Sequence, residues 1–90
     1  MAEIRIERPV EEKIKQMGIL SWPIWEKDIS CFDWYYEATE VCYLLEGKVV
    51  VKTEDGQEVT FGAGDLVTFP KDLSCTWDIK EPVKKHYNFK

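Results

Sequence analysis

The sequence has little histidine, no long apolar run and no concentration of positive charge. One histidine among 90 residues excludes metal sites built from several imidazole rings of this chain. No stretch approaches the roughly 18 apolar residues of a membrane span, and the charged N-terminus lacks the apolar region of a signal peptide. Lys and Arg are interspersed among more numerous acidic residues, giving a net charge of -5 and no basic stripe for phosphates. We therefore expect a cytoplasmic protein with neither a membrane nor a nucleic-acid partner.

Cysteine is also scarce. Cys31, Cys42 and Cys75 are odd in number and show no C-x-x-C spacing, so neither a disulfide framework nor a zinc ribbon is indicated. We expect reduced thiols, with Cys31 and Cys42 buried as small hydrophobic side chains.

What is present suits one small globular domain over residues 1–90. Hydrophobic residues make up 44% of the chain and include four Trp, which can fill a small core. Pro9, early acidic residues and Gly18 predict a helix over about residues 9–17, the only helix expected. Val10, Ile14 and Met17 recur at helical spacing and predict a narrow apolar stripe that packs on the domain.

The rest of the chain, about residues 21–89, has the pattern of an all-β barrel. Short runs rich in β-branched and aromatic residues are separated by turn residues, as several antiparallel strands require. Glu54, Asp55 and Gly56 predict a hairpin turn. This pattern fits a jelly roll or another small barrel. The predicted strands are residues 22–25, 30–36, 40–45, 48–53, 57–61, 65–69, 74–79 and 83–89.

Two glycine motifs narrow this choice. Six residues separate Glu40 from Gly47 in EVCYLLEG, and five separate Gly64 from Pro70 in GDLVTFP. The pair resembles the two motifs of the cupin superfamily, which implies a cupin-type antiparallel β-barrel (a double-stranded β-helix or jelly roll) with one short N-terminal helix. With SCTWD and VKKHYNF, the chain resembles the small single-domain cupins related to ureidoglycine aminohydrolase from about residue 29 to residue 89.

The resemblance also implies where a metal would bind. The histidine positions of the cupin motifs fall on Trp34, Tyr36 and Cys75, so Glu40 alone remains of the usual four ligands. Ureidoglycine aminohydrolases use a manganese centre, but an indole, a neutral phenol and a soft thiol are poor ligands for Mn²⁺ or Fe²⁺. We predict no metal site of this kind. Zn²⁺ stays as an alternative if the sulfurs of Cys42 and Cys75 approach one another.

The same positions predict a ligand site. Side chains two apart on a strand share a face, and the cupin resemblance turns three such sets into the barrel. Aromatic walls with few polar groups suit a planar or cationic small molecule, with a carboxylate as its anchor. The predicted ligand-binding residues are Trp34, Tyr36, Glu40, Cys42, Cys75 and Trp77. Without a ligand, a buried Glu40 needs a Lys or Arg partner, or a raised pKa.

Three functions remain open, besides a barrel that is simply filled with side chains. The leading hypothesis is a cupin that binds a small molecule without a histidine metal site. The enzymatic alternative is a metal-assisted hydrolase or lyase that uses Glu40 with Tyr36 and Cys75. The third is a homodimeric interaction module that packs through Tyr43 and Leu45 on the outer strand faces.

Two other polar residues have simpler interpretations. Cysteine catalysis at Cys75 is disfavoured because we expect His86 on a different strand, on the surface beside Lys84 and Lys85. Asp65, directly after Gly64, is interpreted as a carboxylate that caps a turn.

Overall fold

The structure, a computed structural model, describes residues 4–89 and is mainly antiparallel β-sheet, as the sequence predicts. Within this range the one α-helix, α1 (Glu11–Met17), is too short and polar to cross a membrane. A single 3₁₀ turn, Ile19–Ser21, follows it. In chain order the elements are β1 (Arg5–Glu7), α1 (Glu11–Met17), β2 (Ile24–Lys27), β3 (Ser30–Tyr35), β4 (Glu40–Thr53), β5 (Glu58–Gly62), β6 (Leu66–Phe69) and β7 (Ser74–Phe89).

The two longest strands, β4 and β7, form the spine of the sheet. They pair antiparallel from Glu40 opposite Phe89 to Thr53 opposite Cys75. Strands β6 and β2 flank the first part of β4 and the last part of β7, and β1 extends this side from β6. Strands β5 and β3 flank the other part of each long strand. The long pair therefore runs through both sides of the barrel.

A bend divides this pair of strands. The register shifts at three points between Leu44 and Val49, so a β-bulge interrupts the ladder. Gly47 lies in the bend with φ 110°, and a Cβ built on it would approach the carbonyl oxygen of Pro82 to 2.6 Å. Glycine is required here for both reasons. Pro82 removes one ladder donor in the same region, which favours a bend over a straight ladder.

The bend also changes which positions of β4 face the core. Before it, Glu40, Cys42 and Leu44 are buried, whereas after it Val49 and Val51 are buried. The even-numbered side chains point inward first and the odd-numbered ones later, because the bulge adds residues to one strand. Both parts of β4 thereby contribute to a single main core cluster.

Helix α1 and the 3₁₀ turn cover the outer face of the sheet. Ile19 is buried with Val41 and Leu66, and Ile14 and Met17 pack against this second cluster. The predicted packing of the helix on the domain is confirmed for these two positions, but Val10 is 69% exposed. It is the N-cap residue, so the helix begins at Glu11, two residues after the approximate start expected at Pro9.

The strand prediction needs three corrections. The runs predicted at 40–45 and 48–53 are one strand, and so are those at 74–79 and 83–89, because bulged strands continue past Gly47 and Pro82. Strand β1 was not predicted, although Ile4 and Ile6 alternate with charged residues, because the strand is only three residues long and all three are exposed. The 3₁₀ turn at Ile19–Ser21 adds a helical element that the sequence did not predict.

One cysteine prediction is wrong, and one outer-face residue is partly covered within the chain. Tyr43 packs against the second cluster beneath the helix, and its expected part in a homodimer stays a prediction. Cys31 is exposed, because it lies on the outer side of β3.

The end of β7 differs most from expectation. His86 and Lys85 are both buried, not on the surface. The ring Nδ1 of His86 lies 2.8 Å from the carbonyl oxygen of Trp22, which the 3₁₀ turn brings over that strand. His86 and Cys75 are on the same strand, not on different ones, and ten residues separate them.

The turn before β6 is as predicted. Asp65 accepts a hydrogen bond from the backbone N–H of Gly62 at 2.8 Å and one from Arg8 at 3.1 Å. The hairpin turn at residues 54–56 is confirmed by Gly56, which has φ 92° and donates to the Thr53 carbonyl at 3.1 Å.

Candidate functional site

A cavity of about 240 Å³ opens at one end of the barrel. Its lining is mostly aromatic and includes one carboxylate and one amine. Strands β2, β3, β4 and β7 all contribute to it. The lining residues are Trp25, Phe32, Trp34, Tyr36, Glu40, Trp77, Lys85, Tyr87 and Phe89.

Glu40 and Lys85 form a buried ion pair within this cavity. Their exposed fractions are 6% and 5%, and Lys85 Nζ lies 3.1 Å from Glu40 Oε2. The same ammonium group donates to Cys42 Sγ at 3.2 Å, and Cys42 Sγ donates to Glu40 Oε2 at 2.7 Å. The predicted need of a buried Glu40 for a basic partner is therefore confirmed.

The ammonium group of Lys85 also lies against two indole rings. Its Nζ is 4.7 Å from the ring centroid of Trp25 and 4.6 Å from that of Trp77. The negative faces of these rings attract a cation, so they add to the stabilisation that Glu40 provides. Lys85 thus takes the place beside Glu40 and Trp77 where we expected the cationic group of a ligand.

The walls are held in fixed positions by contacts among aromatic rings. Trp77 Nε1 donates to the hydroxyl oxygen of Tyr36 at 3.0 Å, and Tyr36 stacks on Phe69 with centroids 4.7 Å apart. Phe32 stacks on the other side of Trp77 at 6.2 Å. Burial raises the pKa of Tyr36 far above its ordinary value, so its phenol stays neutral.

The backbone after β3 fixes Tyr36 although it lies beyond the end of that strand. The Tyr36 N–H donates to the Leu73 carbonyl at 2.9 Å, and the Tyr36 carbonyl accepts from the Asp72 N–H at 2.7 Å. Asp72 has φ 68°, which turns the chain before β7 begins. These two bonds hold the Tyr36 side chain inside the barrel.

Four of the six predicted ligand-binding residues line the cavity: Trp34, Tyr36, Glu40 and Trp77. Trp34 is 48% exposed and lies at the rim. Cys42 touches both members of the ion pair but does not line the cavity.

Cys75 lines a separate surface groove with Asp33 and Thr53, and not the aromatic cavity. Burial and, to a smaller extent, the nearby carboxylate of Asp33 together raise the pKa of Cys75 to about 11. Burial likewise raises the pKa of Cys42, and Glu40 adds to this while Lys85 opposes it. Both thiols are neutral near pH 7, which disfavours them as nucleophiles.

Five lining residues were not predicted: Trp25, Phe32, Lys85, Tyr87 and Phe89. Lys85 and Tyr87 could have been found from the alternation of β7. Trp77, Ile79 and Val83 are buried, and both residues continue this series of odd-numbered positions.

The side chains at the four cupin ligand positions do not fit a Mn²⁺ centre. Trp34 has no electron-pair donor, Tyr36 is a neutral phenol that accepts from Trp77, and Cys75 is a neutral thiol. Glu40, the one carboxylate, is already paired with an ammonium group. Within residues 4–89, no three His, Cys, Asp or Glu side chains are grouped so that they could hold a metal ion.

Comparisons with known proteins agree with this architecture. Residues 14–87 match the sequence profile of the EutQ-like cupin domain. The crystal structure of a DUF861 family protein from Thermotoga maritima is similar over 98% of this chain and 100% of that one, with 57% identity and a TM-score of 0.97. No curated protein matches the sequence.

Two proteins with EutQ names have the same fold. A putative ethanolamine utilization protein Q from Salmonella typhimurium matches 93% of this chain and 66% of its own, with 26% identity and a TM-score of 0.65. The EutQ protein of Clostridium difficile matches 71% of this chain and 50% of its own, with 22% identity and a TM-score of 0.65.

Proposed function

The chain belongs to the EutQ-like cupin domain family, and we propose that it binds a small planar molecule in the aromatic cavity of its barrel. The observation that carries this proposal is the buried pair of Glu40 and Lys85 in an open, otherwise aromatic cavity.

A buried ion pair is an unfavourable way to fill the interior of a barrel that binds no ligand. Desolvating two charges costs several kcal/mol for each ion, and apolar residues of similar volume are often as stabilising or more so. The same strands supply Val49, Val51 and Ile79 to the core elsewhere, so apolar packing is available to this fold. Charges kept beside a cavity are more simply explained by a ligand that uses them.

The cavity predicts the chemistry of the ligand. The rings of Trp77, Phe32 and Tyr36 suit a planar body. An ammonium group has three N–H donors, and Glu40 and Cys42 engage two of those of Lys85, which leaves one for a carboxylate or carbonyl oxygen. A cationic ligand is disfavoured because it would face the positive charge of Lys85. We therefore propose a neutral or anionic planar ligand, in place of the cation expected from the sequence.

Titration of indole fluorescence with benzoate, benzamide and benzylammonium tests this function. Benzoate and benzamide are expected to produce saturable changes, and benzylammonium is not. In Lys85→Met the affinity for benzoate should fall about tenfold or more, because a charge-assisted hydrogen bond is lost. Lys84→Met is the matched control, since Lys84 neighbours Lys85 and does not line the cavity. Unsaturable responses to all three compounds would contradict the proposal.

The enzymatic alternative is a metal-assisted hydrolase or lyase of the ureidoglycine aminohydrolase type. It would require Glu40 to exchange its contact with Lys85 for a metal ion. Turnover of ureidoglycine that depends on added Mn²⁺ and is lost in Glu40→Gln would favour this alternative over binding alone.

A further inference from the structure

We propose that Lys85 forms a reversible imine with small planar aldehydes that enter the aromatic cavity. This inference rests on the proposed binding function, because the aldehyde must occupy the same cavity.

The position of Lys85 is the first argument. It is the one buried lysine among residues 4–89, and it is the one amine in the lining of the cavity. Its Nζ lies 3.1 Å from a carboxylate oxygen of Glu40, within reach of direct proton transfer. A nucleophilic nitrogen and a group that accepts and donates protons therefore face the same cavity.

The reaction balances without any further reactant. Glu40 takes a proton from the Lys85 ammonium, and the nitrogen lone pair attacks the aldehyde carbon, forming a C–N bond while the carbonyl π electrons move to oxygen. Glu40 returns the proton to that oxygen and accepts a second one from nitrogen. It then donates this proton to the departing hydroxyl group, which leaves as water as the C=N bond forms. The products are one protonated imine and one water, with the total charge unchanged.

The surroundings of Lys85 suit the product as well as the reactant. A protonated imine keeps the positive charge at nitrogen, where Glu40 and the indole faces of Trp25 and Trp77 already stabilise an ammonium group. Burial keeps the neighbouring Cys42 protonated, so its thiol does not compete for the aldehyde.

The test uses benzaldehyde with sodium cyanoborohydride, which reduces an imine to a stable benzyl amine. Intact mass and peptide mapping should show one rapidly added benzyl group, located at Lys85. Lys85→Arg keeps the positive charge but cannot form an imine with an aldehyde, so the rapid labelling should disappear. Lys84→Met should be labelled at Lys85 like the parent. Glu40→Gln should slow labelling about a hundredfold, as expected for removal of an acid–base group.

The outcomes separate this inference from the proposed function. Saturable binding of benzoate and benzamide without preferential labelling of Lys85 would overturn the imine and leave the binding function intact. Failure of all these compounds to alter indole fluorescence, together with no preferential labelling, would contradict both. If the Lys85 variants do not fold, the peptide map of the parent decides: labelling of Lys85 no faster than that of the surface lysines overturns the inference.

Discussion

The two parts of the β4–β7 pair, on either side of the bend at Gly47, have different interiors. The polar half, residues 40–45 and 83–89, places Glu40, Cys42 and Lys85 inside the barrel. The apolar half, residues 48–53 and 74–79, places Val49, Val51, Trp77 and Ile79 inside. The same strands and the same pairing thus carry an ion pair on one side of the bend and a mainly apolar core on the other.

Energetics explain the apolar half more easily than the polar one. A fully buried Val or Ile side chain stabilises the fold by about 1.5–3 kcal/mol. A buried ion pair adds little net stability compared with apolar residues of the same volume. The difference indicates that the apolar half mainly maintains the fold and contributes Trp77 to the cavity wall, whereas the polar half provides the charged groups of the cavity.

Removing one charge of the Glu40–Lys85 ion pair should have the largest effect on stability. In Lys85→Met, Glu40 stays buried without its counter-charge, so the free energy of unfolding should fall by about 3–5 kcal/mol. Urea unfolding of the variant beside Lys84→Met measures this. A loss no greater than in the control would show that the ion pair is not buried as described.

A cavity in the apolar half should have a somewhat smaller effect on stability and none on binding. Ile79→Ala removes a fully buried side chain and should lower the free energy of unfolding by about 2–4 kcal/mol. Its affinity for benzoate, measured on folded protein, should match that of the parent. A parallel loss of affinity would mean that the two halves are not separable.

High pH should produce the smallest of these effects, and it tests a thiol of the apolar half. Burial raises the pKa of Cys75 from the ordinary 9.0 to about 11, so its stabilising contribution is complete below pH 9 and is lost as the pH rises to 11. At about 1.4 kcal/mol per pKa unit, and reduced for the solvent that reaches the groove beside Cys75, that contribution is about 1–2 kcal/mol. Urea unfolding should show the stability of the parent falling more steeply than that of Cys75→Ala between these pH values. Parallel profiles would refute the burial of this thiol.

The fold could be predicted because its signals are local. The spacing of Glu40, Gly47, Gly64 and Pro70, with the alternating runs, is visible in the sequence itself. The continuity of the long strands is not visible in the sequence. Gly47 and Pro82 look like strand ends unless the bulge that accommodates both is known.

The sequence predicted only one member of the ion pair in the site. Glu40 was identified with its need for a partner, but Lys85 was assigned to the surface because it stands in a polar run with Lys84 and His86. Its burial depends on β7 keeping its inward positions past Pro82. The burial of His86 depends on the carbonyl group of Trp22 approaching the opposite face of β7. The burial of Lys85 therefore follows the local alternation once β7 is known to continue past Pro82, whereas that of His86 comes from packing between segments distant in sequence, which local patterns do not contain.

The most direct test of the account is the double variant Glu40→Gln/Lys85→Met, followed by urea unfolding and by titration with benzoate. Removing both charges leaves neither one buried alone, so we predict a free energy of unfolding within about 1 kcal/mol of the parent. Benzoate binding should be lost, because the donor that holds its carboxylate is gone. A double variant as unstable as Lys85→Met that binds benzoate like the parent would show that the pair serves the fold and not the cavity.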